Sequence, residues 1–570
     1  MKILAAQINM VVGDLDGNTK KISDIVDQYK NVTDVLVFPE LSITGYPPLD
    51  LIEQSGFFEE QYSCLEKIAD LTQDSNITVI LGYFDKHEGN GKPFHNGLAV
   101  LSNGIISHKY FKRLLPTYNI FDESRHFEAG KDIKVIEIQG IKVGLLICED
   151  MWNDKAITNN FIYPINPIEE TVKAGAEILI SINASPSQVG KPRYRLEKFA
   201  KITKNYGVPL VYVNQVGGND DIVFDGTSFV ADGTGSLVSV LKSFEEDQAI
   251  FDIIKNDEKI SIQVVKGDAV SSTLPKTSSE FYFKQIVLGI REYIKKCGFK
   301  KVVIASSGGV DSALVLALAV EAVGGENVVA ITMPSAVSST GSVTDSERLC
   351  QNLGVKLYNY AIKSHVDLFM DDFAKYIKKS EKSLTVENMQ ARFRGMVLMA
   401  FSNEYPEYLP LTTGNKSESA VGYCTLYGDM NGGLAPISDL YKTEVWDLCR
   451  YINDFHGKEI IPTTIIDKAP SAELYDGQKD TDSLPPYPVL DSILIPYIEG
   501  RAIDPQVLEQ CKKIVTESGF TDFAKIHRMV DRAEFKRRQA APTIRVHEKA
   551  WGAGRRFPIA QNHKPFNNLI

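Results

Sequence analysis

Residues 301–320 read KVVIASSGGVDSALVLALAV: a β-branched apolar run, a turn containing Gly308 and Gly309, then a helix pattern rich in Ala and Leu. A strand that enters a helix through such a turn aims backbone N–H groups and a helix N-terminus at one point, which suits an anion. Ser306, Ser307, Gly308, Gly309, Val310, Asp311 and Ser312 are therefore the candidate phosphate loop. No Gly-Lys-Ser/Thr follows, so this is not a Walker loop, and the glycine spacing does not fit the dinucleotide GxGxxG fingerprint.

Outward from this loop the pattern repeats. A helix is predicted over 279–296, and downstream come the strand NVVAITM, a helix over 342–353 and the strand VKLYNY. Strand–helix–strand order implies parallel neighbours in a doubly wound sheet, with ligand at the carboxyl ends of the strands. From Met1 to about residue 260, short runs such as KILAAQI, DVLVFPE, ITVILGYF, KVGLLICED, EILISINAS and VPLVYVNQV alternate with helix-patterned segments at 19–30 and 190–206, a second layered α/β region. The segment 264–280, VVKGDAVSSTLPKTSSE, is rich in Ser, Thr, Gly and Pro and lacks periodicity. The expected division is thus a first domain over 1–260, a linker over 261–280 and a second domain over 281–570. A chain of 570 residues requires such a division, because single cores stop growing near roughly 250–300 residues.

Composition narrows the class. Hydrophobic residues at 44% and charged residues at 24% describe ordinary globular domains, and the net charge of −11 argues against broad nucleic-acid binding despite a basic stretch over 525–556. The 7 cysteines show neither CxxC nor Cys/His zinc spacing, which argues against a disulfide framework or a structural metal. The opening MKILAAQINMVVGDLDGN lacks a signal-peptide cleavage region, and no run approaches the roughly 18 apolar residues of a membrane span. A cytoplasmic protein without membrane contact is expected.

The phosphate loop resembles the SGGxDS loop of the ATP pyrophosphatase family, whose members cleave ATP between the α and β phosphates. TVENMQARFRGM (385–396), LTTGNKSE (411–418), DLYKTEVW (439–446), KAPSAEL with QKDTDSLPPYPVLD (468–491) and EFKRRQAAPTIRV (534–546) resemble, in the same order, segments of NAD synthetases. The resemblance implies that Thr412 contacts ATP, that Asn388, Arg392, Glu418 and Lys536 contact deamido-NAD, and that Asp311, Glu418 and Ser471 hold Mg²⁺ with ATP. Asn388 and Arg392 lie four apart on the predicted helix, hence on one face. Arg537 and Arg538, beside Lys536, remain open as further contacts.

In the first region, Glu40 follows VLVFP, Lys112 follows ISHKYF and Cys148 follows VGLLI, so the three can converge if their strands end at one rim of a sheet. FPELSITGYPPLDL, KRLLPTYNIFDESRHF and LLICEDMW resemble the signature segments of the nitrilase superfamily, in the version fused to NAD synthetases. That resemblance implies Cys148 as nucleophile, Glu40 as base, and Lys112 with the Glu149 backbone N–H as oxyanion donors. A nearby cation can also favour the thiolate. By the same resemblance Tyr118, Ser185 and Lys191 contact glutamine. Glu123 either orients the trio or pairs with Arg125.

Together the resemblances imply an α/β protein: a nitrilase-like αββα sandwich, then a doubly wound parallel-sheet ATP pyrophosphatase domain. Its implied work is to hydrolyse glutamine to glutamate and ammonia, adenylate deamido-NAD with ATP, and amidate it to NAD with release of AMP. No tightly bound organic cofactor is implied, and a homo-oligomer through the second domain is. Other amidotransferases of the ATP pyrophosphatase type, making GMP or asparagine, use different glutaminase modules and lack the segments at 385, 468 and 534. A catalytically silent scaffold is disfavoured by the presence of Glu40, Lys112, Cys148 and Asp311.

Overall fold

The computed structural model describes residues 1–570 except 159–161, 257–258, 268–273, 377–383, 476, 501–502, 566 and 570. Two units divide the chain, Met1–Lys276 and Thr277–Ile570.

The strands of the first unit are β1 (Lys2–Gln7), β2 (Val35–Val37), β3 (Thr78–Lys86), β4 (Phe94–Ser102), β5 (Ile105–Phe111), β6 (Val135–Ile138), β7 (Ile141–Ile147), β8 (Ile178–Asn183), β9 (Leu210–Asn214), β10 (Val216–Asn219), β11 (Ile222–Asp225), β12 (Phe229–Ala231), β13 (Leu237–Val240), β14 (Asp247–Asn256) and β15 (Lys259–Lys266). One sheet runs β15-β14-β1-β2-β3-β4-β5, a second runs β13-β12-β9-β8-β7-β6, and β10-β11 form a ribbon. Alternation along each strand sorts the layers. Ile3 and Ala5 of β1 join Val143, Leu145 and Ile147 of β7 in a core between the sheets. Leu4 and Ala6 share a second core with Ile22, Ile25, Leu65 and Ile68 of the helices Leu15–Tyr29 and Phe57–Asp70. Beyond the second sheet, Leu146 and Leu179 meet Leu196 and Phe199 of the helix Lys191–Tyr206. Both faces of each sheet are therefore covered, giving αββα, and each fully buried Leu or Ile contributes roughly 1.5–3 kcal/mol.

Strand direction places the site. Strand β2 pairs parallel with β3, while β3–β4 and β4–β5 are antiparallel, so β2, β3 and β5 end at the edge where β4 begins. In the second sheet β7, β8 and β9 are parallel.

The linker expectation needs correction at both ends. Strand β15 continues to Lys266, because Ile260, Ile262 and Val264 alternate onto the inter-sheet core while Ser261 and Gln263 between them give a polar appearance. At the other end the helix Ser278–Lys296 begins under a Thr277 cap, whose side chain accepts from the Glu280 N–H. Positions 268–273 of that segment lie outside the described residues.

The second unit carries β16 (Lys301–Ala305), β17 (Val328–Thr332), β18 (Lys356–Asn359) and β19 (Tyr408–Leu411), all parallel, in the order β18-β17-β16-β19. The chain moves outward from β16 to β18, then returns to the other side of β16. Its order reverses between β16 and β19, the switch point at which such sheets open a crevice. The helix Val310–Val323 packs on β16 and β17, and the helix Leu384–Glu404 on β16 and β19. A helical core around Tyr441, Leu490, Ile493, Ile526 and Val530 completes the unit. Among the described residues no helix is long and apolar enough to cross a membrane.

Candidate active sites

At the shared edge of the first sheet, the Lys112 ammonium donates to Glu40 Oε1 at 2.8 Å and to Glu123 Oε1 at 2.7 Å, all three side chains being buried. Glu40 Oε2 accepts from the Ala184 N–H at 2.9 Å, just beyond β8. Burial opposes the charge on Lys112, but the two carboxylates outweigh it and raise its proton affinity well above the ordinary value. Burial and the charge of Glu40 push Glu123 upward, against the pull of Lys112. Glu123 thus faces the trio and also accepts from the Tyr46 hydroxyl at 2.8 Å, whereas Arg125 bonds to Asp50. Glu123 therefore bonds Lys112, while Arg125, the other partner weighed for it, bonds Asp50.

Cys148 lies at the end of β7, on the opposite sheet, so the trio is assembled across the sandwich and not along one rim. Its φ of 41° is left-handed, an uncommon conformation for a residue other than glycine. Asp150 supports this turn by accepting from the N–H groups of Ile147, Arg113 and Leu114 and from the Tyr110 hydroxyl. Burial first, then Glu40, raise the Cys148 thiol well above its usual range, and Lys112 offsets them only in part. The expected help of a cation toward a standing thiolate is therefore outweighed; the resting thiol needs a base.

The glutamine-contact candidates sit unequally. Tyr118 donates to both oxygens of Glu149 at 3.0 Å, next to the nucleophile. Tyr163 also donates to Glu149, whose carboxyl burial pushes up to about 7 against the pull of Lys112. Ser185 follows Ala184, the residue that bonds Glu40, and its own N–H goes to Asn214. Lys191 opens its helix with its ammonium 5.6 Å from the centre of the Trp152 ring.

In the second unit the loop after β16 is tightly tied. Ser306 donates to Ser346, Ser312 to the Gly309 carbonyl, and the Gly309 N–H to Ser307 Oγ. Gly308 has φ 73°, and a Cβ there would lie 2.3 Å from the Ser342 carbonyl oxygen, so only glycine fits. Val310 and Asp311 open the following helix, and Thr412 stands just past the end of β19 on the far side of the switch point. Asp311 accepts from Lys442 at 2.5 Å and from Asn415 at 2.9 Å, and Lys442 reaches Glu418 at 3.4 Å. Burial and the adjacent Asp311 push Glu418 up to about 8, against Lys442. Lys442 and Asp480, which also bears on Glu418, were not singled out by sequence reasoning although both fall inside the quoted segments.

Asn388, Arg392 and Lys536 converge on one loop. Asn388 Oδ1 accepts from Thr425, Arg392 donates to the Leu426 carbonyl, and Lys536 donates to the carbonyls of Gly422 and Cys424. Arg537 turns inward to Ser419, Ala420 and Glu534, while Arg538 bonds Glu534 and the Phe557 carbonyl. Ser471 donates to the Gln478 carbonyl and accepts from the Glu473 N–H, so it is engaged within its own turn.

Comparison with known proteins fits this two-site arrangement. Residues 2–258 match the carbon-nitrogen hydrolase family and residues 282–540 the NAD synthase family. A glutamine-dependent NAD(+) synthetase from Synechocystis is 40% identical, covering 99% of this chain and 99% of that one, and one from Thermotoga maritima is 38% identical with 99% of each covered. A solved structure of the glutamine-dependent NAD+ synthetase of Acinetobacter baumannii, in complex with adenosine diphosphate, is 36% identical with a TM-score of 0.75 and covers 98% of each chain.

Proposed function

The chain belongs to the glutamine-dependent NAD(+) synthetase family, and from that premise we propose how its own residues divide the reaction. It is a ligase that takes its amide nitrogen from glutamine. In the first unit Glu40 accepts the Cys148 proton as the thiol attacks the side-chain amide carbon of glutamine. An ammonium carries three N–H donors; the Lys112 bonds to Glu40 and Glu123 leave one for the developing oxyanion. The Glu149 backbone N–H supplies a second oxyanion donor. Glu40 returns the proton to departing ammonia, and water then opens the thioester to release glutamate. Tyr118, Ser185 and Lys191 hold the polar ends of glutamine.

In the second unit Ser306–Ser312 and the helix N-terminus behind them cradle the ATP phosphates, with Thr412 beside them. The ADP bound by the Acinetobacter relative supports an adenine nucleotide here. Asp311 and Glu418 share the Lys442 ammonium and offer two carboxylates, an oxygen donor set that fits a hard divalent cation, so they would hold Mg²⁺. When bound, Mg²⁺ neutralises phosphate charge. Ser471 would join only by giving up its bond to Gln478. Asn388, Arg392, Glu418 and Lys536 hold deamido-NAD while its nicotinate carboxylate attacks the α-phosphorus of ATP and expels pyrophosphate. Ammonia then displaces AMP to form the amide. A homo-oligomer through the second unit, checked by sedimentation, remains part of the proposal.

The observation that carries this reading is the buried Glu40–Lys112–Glu123 cluster. Its counterpart is the carboxylate pair at the phosphate loop in the other unit. Purified protein given deamido-NAD, ATP, Mg²⁺ and glutamine should form NAD, glutamate, AMP and pyrophosphate in equal amounts. Stoichiometric ADP and phosphate would overturn the adenylation step.

A further inference from the structure

We propose that Asn96 is a positioning residue of the glutaminase site, the neutral donor that lets Glu40 and Glu123 share one ammonium while Glu40 keeps its proton-accepting pose. This rests on the roles given above to Glu40, Lys112 and Cys148.

Asn96 stands near the start of β4, which runs opposite to β3 and β5, so it reaches the edge where those strands end. Its Nδ2 donates to Glu40 Oε1 at 2.7 Å and reaches Glu123 Oε2 at 3.5 Å. Turning the amide over would point Oδ1 at two carboxylates, so charge fixes which end donates. The Asn96 carbonyl also accepts the Lys112 N–H at 2.9 Å, tying the backbone of the ammonium-bearing residue to the same position.

Asn96 is fully buried, and its Oδ1 has no hydrogen-bond partner among the described residues. A buried acceptor left unpaired destabilises a fold, and an apolar side chain would remove that cost. An amide at this position therefore answers to the two acids, which would otherwise have only the one Lys112 ammonium between them. Asn96 touches no reacting atom; it acts through the orientation of Glu40.

The test compares Asn96→Leu, Asn96→Asp and Glu40→Gln by glutaminase kcat and KM across pH. Asn96→Leu should lower kcat by about 100-fold with little change in KM. In Asn96→Asp the new acid faces Glu40, Glu123 and Lys112, with the Tyr46 hydroxyl and the Cys148 thiol beyond them. When protonated it can donate in place of the amide, and when ionised it repels. Its activity relative to wild type should therefore be greatest at the acidic end and fall as pH rises. A constant relative activity for Asn96→Asp, or a KM effect alone in Asn96→Leu, would overturn the proposal. An active Glu40→Gln would instead remove the catalytic assignment on which it rests.

Discussion

At Cys148 the local charges work against ionisation, which separates this nucleophile from thiols that rest as thiolates. The thiol is raised by burial and then by Glu40, so iodoacetamide should alkylate it slowly at neutral pH and faster as pH rises. Peptide mapping by mass spectrometry would measure that rate; in Glu40→Gln, which lacks the base assigned to the Cys148 proton, glutamine hydrolysis should fall by about 100-fold or more. Rapid alkylation of the wild-type thiol at neutral pH would contradict the electrostatic account. Glu40, Lys112 and Cys148 could be picked out because each closes an apolar run within a segment that resembles the nitrilase signatures. Asn96 and Lys442 were not, since FHNG and DLYKTEVW carry no sign of the partners that strand direction and the returning β19 bring to them.

Among the elements of the second unit, His547 ties the C-terminal segment to the helix Lys442–His456. Its ring contacts Glu444 at 3.0 Å and the Asp439 carbonyl at 2.7 Å. Burial works against the imidazolium, but Glu444 and Asp439 outweigh it and push it up to about 10. This folded value lies above the ordinary one near ~6.5, so the stabilisation is complete below ~6.5 and disappears as pH climbs through the folded value. His547→Gln should cost about 3 kcal/mol at neutral pH by denaturant titration. The gap from wild type should close on the alkaline side; a gap that widens there would contradict the ion pairing. Strands and helices around the phosphate loop were readable from apolar period and glycine placement. Strand β15 was not, because a half-exposed edge strand alternates polar residues into what reads as linker.

Over the whole chain, each of the two units carries its own candidate groups, one set proposed to free ammonia and the other to activate a carboxylate. The two-part α/β architecture was legible because each unit repeats its own strand and helix period. Pairing of Cys148 with residues from a different sheet was not, since sequence order says nothing of which sheets face each other. In the proposed division of labour the first unit supplies nitrogen and the second consumes it. Cys148→Ala tests this most directly, because the change removes one sulfur and leaves a small residue in a supported turn. NAD formation should be measured in that variant with glutamine and, separately, with ammonium salt as nitrogen source. The division of labour predicts loss of glutamine-dependent synthesis and near wild-type ammonia-dependent synthesis. Normal glutamine-dependent synthesis, or loss of both activities in a folded variant, would contradict it.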